Sequence, residues 1–140
     1  MSTDINIGEF LATRAYHNPT KEALYDVGSN TRFTFSELTD RACRIGNAVL
    51  SLGLGKGDRL AVLANNSPEF IESFFGPARA GIVIMPLNWR LTAEELAFIL
   101  KDGGATALVF DAQFTPVVEE IRAMGAEGGN VEHWICIGGD

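Results

Sequence analysis

Hydrophobic positions along the chain follow two different spacings. Helical spacing places five apolar residues on one stripe of a predicted long helix: Leu38, Ala42, Ile45, Val49 and Leu52. Strand-length apolar runs, continuous or alternating, lie at residues 60–64, 82–86, 106–110 and 131–137. Because helices and strands alternate after residue 53, the pattern predicts a three-layer α/β fold in which helices flank a mostly parallel, doubly wound sheet.

The N-terminal third has a different pattern. Apolar residues at helical spacing over residues 7–16 stop at Asn18 and Pro19, which predicts a short amphipathic helix. Residues 23–27 and 31–35 resemble two strands around a loop that tolerates positive φ, which predicts a β-hairpin. We therefore divide the chain into residues 1–53, with the helix, hairpin and first long helix, and residues 54–140, with the βαβ repeats.

Local motifs mark the starts of three helices. Thr34 with Glu37, and Thr92 with Glu95, have the spacing of a capping box, in which each side chain bonds the backbone N–H of the other residue. The segment Asn65-Asn66-Ser67-Pro68-Glu69 predicts a third helix start, with a polar cap and then proline at the first helical position.

The stretch 79–100 organises the rest of the chain. Its apolar run at residues 82–86 predicts a central strand that is buried on both faces. The loop that follows contains Asn88, Trp89 and Arg90, at the carboxyl end of the strand, where open α/β sheets bind their ligands. Asn65 and Asn66 also follow a strand, but capping explains them adequately.

The glycine-rich segment 53–59 superficially suggests a phosphate-binding loop. Such loops follow a strand and open a helix, whereas this segment follows a helix and opens a strand. A helix C-cap with a tight turn is the better interpretation.

Composition excludes several functional classes. The 140 residues are 46% hydrophobic and 21% charged, as expected of a globular domain, and the net charge of −7 disfavours nucleic acid and anionic membranes. The longest apolar runs are far shorter than the roughly 20 residues of a membrane helix. The first residues lack a signal peptide, so we expect no transmembrane segment and a cytoplasmic protein. Cys43 and Cys136 are predicted to be reduced, buried residues.

Catalytic signatures are absent from the sequence. It contains no GxSxG, HExxH, GxxxxGK[ST] or GxGxxG motif in the required context. His17 is predicted to lie at a helix C-terminus and His133 in a strand, and neither is assigned a catalytic role. We assign no catalytic residue and no metal ligand.

Five short motifs occur in order: Phe-Thr-Phe-Ser-Glu-Leu at 33–38, Gly-Asp-Arg-Leu-Ala-Val at 57–62, Ala-Arg-Ala-Gly at 78–81, Met-Pro-Leu-Asn at 85–88 and Leu-Thr-Ala-Glu-Glu-Leu at 91–96. Together they closely resemble the N-terminal part of the AMP-forming acyl-CoA synthetases, in the adenylate-forming superfamily. The resemblance spans nearly the whole chain. The Pro-Leu-Asn-x-Arg form resembles the ligases of fatty or aryl acids.

The resemblance implies a two-step reaction with ATP, Mg²⁺ and CoA. An acid forms an acyl-adenylate with ATP, and CoA then takes the acyl group as a thioester. In that family the phosphate loop ending in Pro-Lys-Gly, the adenine contacts and the catalytic lysine come later in the chain. The resemblance therefore implies an incomplete part of a larger N-terminal domain, inactive and without bound cofactor on its own, whose partner is the remainder of the parent ligase.

In some relatives the segment resembling Asn88, Trp89 and Arg90 lies near the CoA channel, so Arg90 could meet a CoA phosphate. In the plainer alternative, which we favour, Trp89 packs on a neighbouring helix and Arg90 is solvated. Two other functions stay open: a non-catalytic α/β binding or interaction module, and a fragment of an amino-acid-activating adenylation domain. Bare sheet edges and helix faces predict self-association, that is, a homo-oligomer.

Overall fold

A computed structural model describes residues 5–138. The helices are α1 Glu9–His17, α2 Phe35–Ser51, α3 Pro68–Arg79, α4 Ala93–Gly103 and α5 Thr115–Ala123, with short 3₁₀ turns at Ala112–Phe114 and Gly125–Gly128. The strands are β1 Glu22–Asp26, β2 Thr31–Thr34, β3 Arg59–Leu63, β4 Val83–Pro86, β5 Ala107–Asp111 and β6 His133–Ile137. None of the helices in residues 5–138 combines the length and apolar character needed to cross a lipid bilayer.

The chain forms two compact units. The first comprises the described residues up to Lys56 together with Asn66–Ile82, and so contains α1, β1, β2, α2 and α3. The second comprises Gly57–Asn65 and the described residues from Val83 onwards, and contains the four other strands with α4 and α5.

In the first unit, β1 and β2 form the predicted antiparallel hairpin, and Asn30 in its loop adopts a positive φ of 54°. Its hydrophobic core brings together Leu11, Leu38 and Ala42, and partly buried aromatic and aliphatic side chains pack around them. Helices α2 and α3 approach closely where Gly46 faces Gly76.

An ion pair between a partly exposed arginine and a buried carboxylate also links α2 to α3. Glu72 is only 3% exposed, and both of its carboxylate oxygens accept hydrogen bonds from the Arg41 guanidinium. Those hydrogen bonds raise the pKa of Arg41 above its ordinary value. The pairing offsets the cost of burying the carboxylate.

In the second unit, the strand order is β4-β3-β5-β6 and every neighbouring pair is parallel. Four consecutive residues of β3, from Leu60 to Leu63, are fully buried, as a strand with both faces covered requires. Helices α4 and α5 cover one face, where Leu96, Leu100, Val118 and Ile121 join Leu63 and Leu108 in one core. The predicted α/β class, parallel sheet, N-terminal helix and hairpin are confirmed.

Both predicted capping boxes are present. Thr34 Oγ1 accepts a hydrogen bond of 3.2 Å from Glu37 N, and the Glu37 carboxylate accepts one of 2.8 Å from Thr34 N. Thr92 and Glu95 repeat this exchange at the start of α4. The third predicted helix start is confirmed, since α3 begins at Pro68. Ser67 caps it by accepting a hydrogen bond from Phe70 N, so capping does not account for Asn65 and Asn66.

Two further predictions are wrong. The strand at residues 83–86 is not central, because β4 lies at an edge of the described sheet and Val83 is 48% exposed. A short apolar run gives the local character of a strand but not its place in the sheet. Cys136 is exposed rather than buried and Cys43 is half-buried; both are free thiols.

Candidate functional site

The carboxyl edge of the parallel sheet carries the predicted site. Along the chain, β3 is followed by β4 on one side and then by β5 on its other side, so the direction of winding reverses between β3 and β5. Ligands of open α/β sheets bind outside the carboxyl ends of the strands at such a reversal. The loops that leave β3 and β5 flank this reversal, and the predicted loop after β4 leaves the same carboxyl edge one strand away.

Hydrogen bonds fix the loop after β4 at both ends. Leu87 N donates to Val62 O at 2.9 Å, which holds the loop's first residue against β3. The Asn88 side-chain oxygen accepts from Arg90 N at 3.1 Å, and the Asn88 carbonyl accepts from Leu91 N at 3.2 Å. Two residues after Arg90, Thr92 caps α4, so Trp89 and Arg90 lie on a closed turn between a strand and a helix.

Trp89 and Arg90 form a stacked pair. The Arg90 guanidinium carbon lies 4.2 Å from the centroid of the Trp89 ring, within cation–π distance, and Trp89 is 42% exposed. Within residues 5–138, Arg90 has no carboxylate partner. Its side-chain N–H groups are thus available to an anion such as a phosphate.

The loop after β5 reaches the same edge. Phe114, the last residue of the first 3₁₀ turn, places its ring 6.3 Å from that of Trp89 with an interplanar angle of 30°. Gln113 Nε2 donates to the Asp111 carboxylate at 2.9 Å. Sequence reasoning missed Phe114, although an aromatic residue just after a buried strand was a usable signal.

The structure thus brings Asn88, Trp89 and Arg90 together, because one turn contains all three. The Trp89 ring lies beside the Phe114 ring in the 3₁₀ turn after β5, and Arg90 is exposed. The CoA contact stays a prediction. Chemically, the arrangement offers a cation and an aromatic face to a ligand, which suits binding and orientation.

Groups for covalent chemistry do not converge here. His17 is the last residue of α1 and His133 the first of β6, as predicted. Among residues 5–138 no group of three or more His, Cys, Asp or Glu side chains could hold a metal ion. Gly53 and Gly57 have positive φ values of 98° and 92° between α2 and β3, which confirms the predicted turn from a helix to a strand.

The sequence matches the AMP-binding enzyme family over residues 11–136. It is 38% identical over 130 residues, 93% of this chain, to the long-chain-fatty-acid–CoA ligase FadD13 of Mycobacterium tuberculosis. It is 40% identical over 113 residues, 81% of this chain, to the fatty acid–[acyl-carrier-protein] ligase ScoC of Streptomyces coeruleorubidus. The chain spans 26% and 21% of these two relatives, respectively, so it corresponds to about a quarter of their length.

Solved structures of related ligases are also similar to this chain. The inhibitor-bound N-terminal domain of FACL13 from Mycobacterium tuberculosis superimposes with a TM-score of 0.89 at 38% identity, covering 94% of this chain and 33% of that domain. The anthranilate–CoA ligase AuaEII in complex with anthranoyl-AMP has a TM-score of 0.89 at 28% identity, covering 99% of this chain and 26% of its own.

Proposed function

The chain belongs to the AMP-binding enzyme family, and on that premise we propose that it forms the N-terminal part of an acid–CoA ligase. In the first step of the proposed reaction, the substrate carboxylate attacks the α-phosphate of ATP, which gives an acyl-adenylate and releases pyrophosphate. In the second, the CoA thiol loses its proton and attacks the acyl carbonyl, which gives the thioester and releases AMP. The observation that carries the proposal is 38% identity across 93% of the chain to a CoA ligase.

We propose a fatty acid as the substrate. Two relatives named for fatty acids match 93% and 81% of this chain at 38% and 40% identity. A crotonobetaine/carnitine–CoA ligase is 43% identical but matches only 65% of the chain, and the relative named for an aryl acid, anthranilate, is 28% identical. Since the reaction consumes ATP and CoA, we place it in the cytoplasm.

The proposed role of these residues is to provide the scaffold and one wall of the CoA path. The carboxyl edge of the sheet holds no nucleophile with an adjacent base among the described residues, so we assign the covalent steps to other parts of the parent ligase. Mg²⁺ would offset phosphate charge in the first step, but residues 5–138 offer no cluster of ligands for it, and we assign it no site here.

Within this scaffold, Trp89 and Arg90 are proposed to contact CoA. A guanidinium without a carboxylate partner suits the phosphates of CoA, and an exposed indole offers a face on which an adenine can stack. The hydrogen bond from Arg90 N to the Asn88 side chain fixes the backbone that carries both side chains, which reduces the entropy lost on binding.

An enzymatic assay tests the proposed function. The 140-residue chain, incubated with ATP, Mg²⁺, CoA and palmitate, should yield no palmitoyl-CoA, while a longer parent that includes a Thr/Ser/Gly-rich loop ending in Pro-Lys-Gly should form the thioester. Turnover by the chain alone would overturn the assignment of the covalent steps. A parent that contains this loop but forms no acyl-adenylate with any acid would overturn the ligase proposal itself.

The CoA contact has a separate test in the parent. Arg90→Ala should raise the KM for CoA by about tenfold, as expected for a lost hydrogen bond to a charged group. The rate of acyl-adenylate formation, followed by pyrophosphate release, should not change. Arg44→Ala, which removes an exposed cation from α2, is the matched control and should leave both values unchanged. An unaltered KM in Arg90→Ala would contradict the contact.

A further inference from the structure

An apolar groove of about 290 Å³ crosses the first unit. Helix α1 forms one side of it, and β1, α2 and α3 complete the lining. We call it the α1 groove; besides Arg14, its lining includes Phe10, Leu24, Phe35, Leu38, Ile71 and Phe75. Phe10 is 57% exposed, although a phenylalanine in this setting would ordinarily be covered.

Among the described residues, Arg14 is the only charged one that lines the α1 groove. It lies four residues after Phe10 on α1, so both side chains are on the same face of the helix. Arg14 forms no ion pair within residues 5–138, whereas Glu9 on the same helix is paired with Arg79 at 3.1 Å. The groove therefore combines an apolar surface with one available cation on a chain whose net charge is −7.

We propose that the α1 groove binds a single fatty carboxylate. The acyl chain lies on the aromatic rings of Phe10, Phe35 and Phe75, and the carboxylate accepts hydrogen bonds from the Arg14 guanidinium. The volume is close to the lower limit for ligand pockets, which suits one acyl chain rather than a two-chain lipid. Because the groove lies wholly in the first unit, the proposal does not depend on the loop at Asn88, Trp89 and Arg90.

Charge argues against a membrane surface as the occupant. Attraction to anionic bilayers requires several clustered cations, whereas the described lining supplies one. A second copy of this chain would bring further negative charge to the groove, since each copy carries −7. A small amphiphile with one anionic head is the occupant that matches both the apolar lining and the single guanidinium.

Calorimetric titration of the 140-residue chain with laurate, below its micelle concentration, tests the proposal. We expect saturable binding of one laurate per chain, and at least tenfold weaker binding of dodecyltrimethylammonium, which has the same alkyl chain and a cationic head. Arg14→Gln should weaken laurate binding about three- to tenfold through loss of the charge-assisted hydrogen bonds. Arg44→Gln, the matched control on α2, should bind laurate as tightly as the unaltered chain.

A second pair of variants tests the apolar part of the groove. Phe10→Ser should weaken laurate binding, while Tyr16→Ser, at a position that is 84% exposed on the same helix and outside the groove, should not. Circular dichroism melts verify that each variant is folded. As a readout without substitutions, 5-doxyl stearate should broaden the NMR amide signals of α1 and α3 in the unaltered chain.

Three results would overturn the proposal. The first is equal affinity for laurate and the alkylammonium. The second is broadening by the spin-labelled acid that is confined to elements outside the groove. The third is a dimer that laurate does not displace and that Phe10→Ser dissociates, since the groove would then be the contact between two copies.

Discussion

At the scale of single residues, Gly46 of α2 and Gly76 of α3 mark a close approach of two helix backbones in the first unit. A Cβ added at Gly76 would lie 1.9 Å from the carbonyl oxygen of Ala42, and one added at Gly46 would lie 2.8 Å from the carbonyl oxygen of Gly76. Both obstacles are backbone atoms, which cannot rotate away. The helices α2 and α3 can thus approach this closely only because neither position carries a side chain.

Gly76→Ala should therefore destabilise the chain. We expect a loss of about 3 kcal/mol in the free energy of unfolding, because α2 and α3 must separate to relieve the overlap. Gly55→Ala is the matched control, since a Cβ there meets no atom within 4 Å, and it should leave stability unchanged or raise it by at most about 1 kcal/mol. Urea denaturation measures the stability of both variants. Equal stability of Gly76→Ala and the unaltered 140-residue chain would contradict the close contact.

Residues whose role depends on near neighbours in sequence were predicted well. Thr34 and Thr92 cap helices through partners three residues away, and both capping boxes are present. Cys136 was wrongly predicted to be buried, because its exposure depends on its place in β6, at the far edge of the sheet. The start of α3 was predicted, but local preference does not say which of the three polar residues before Pro68 will adopt the cap conformation, and Ser67 does.

At the scale of elements, the two capping boxes make helix stability depend on pH. Hydrogen bonds from the backbone N–H and then the hydroxyl of Thr34 lower the pKa of Glu37 below its ordinary value of 4.5. Thr92 lowers the pKa of Glu95 in the same way. A carboxyl whose pKa is lower in the folded state stabilises the fold above its unfolded pKa and loses this effect as the pH falls through its folded pKa.

We expect Glu37→Ala to destabilise the chain above about pH 5, with the difference from the unaltered chain shrinking as the pH falls below 4.5. Chemical denaturation at a series of pH values measures this difference. Glu120→Ala, at an exposed position on α5, serves as the control and should show little pH dependence. A stability difference that grows towards acid would contradict the capping role.

The sequence predicted where the helices and strands lie along the chain better than which of them are adjacent in space. All six strands and five helices lie close to the predicted segments, because periodicity is a local property. The stacking of Trp89 beside Phe114 joins loops that are more than twenty residues apart in the chain, and it depends on the strand order. The apolar run of β4 wrongly indicated a central strand, so the position of Phe114 after a buried strand was a signal for the sheet edge but not for contact with Trp89.

At the scale of the whole molecule, two strands end the described sheet without a partner on their outer side. These are β4 and β6, and Val83 of β4 is 48% exposed. Unpaired backbone groups on an exposed edge attract strands of other molecules. The predicted self-association therefore has a specific candidate surface in β4.

Sedimentation velocity over a range of concentrations should reveal reversible self-association of the 140-residue chain. Val83→Lys should reduce it, because a charged side chain on an edge strand opposes pairing with another copy. Ile7→Lys is the control, since Ile7 is equally exposed, at 49%, but lies outside the sheet. Association that is insensitive to Val83→Lys, or equally reduced by both variants, would contradict pairing through β4.

The α/β class was accessible from sequence because alternating helices and strands leave few other architectures. The winding reversal between β3 and β5 was not accessible, since β5 could have joined the sheet beyond β4 with the same local pattern. Strand order is decided by packing over the whole sheet. For that reason the motif resemblance, rather than periodicity, supplied the functional proposal.

The path of the backbone between the two units has a consequence for biosynthesis. The second unit's β3 is translated between the two segments that make up the first unit, and its neighbours β4 and β5 follow only later. As the nascent chain leaves the ribosome, the apolar residues of β3 stay unpaired until both neighbouring strands have been synthesised. This interval is when a chaperone that shields short hydrophobic segments would contribute most to the yield of folded protein.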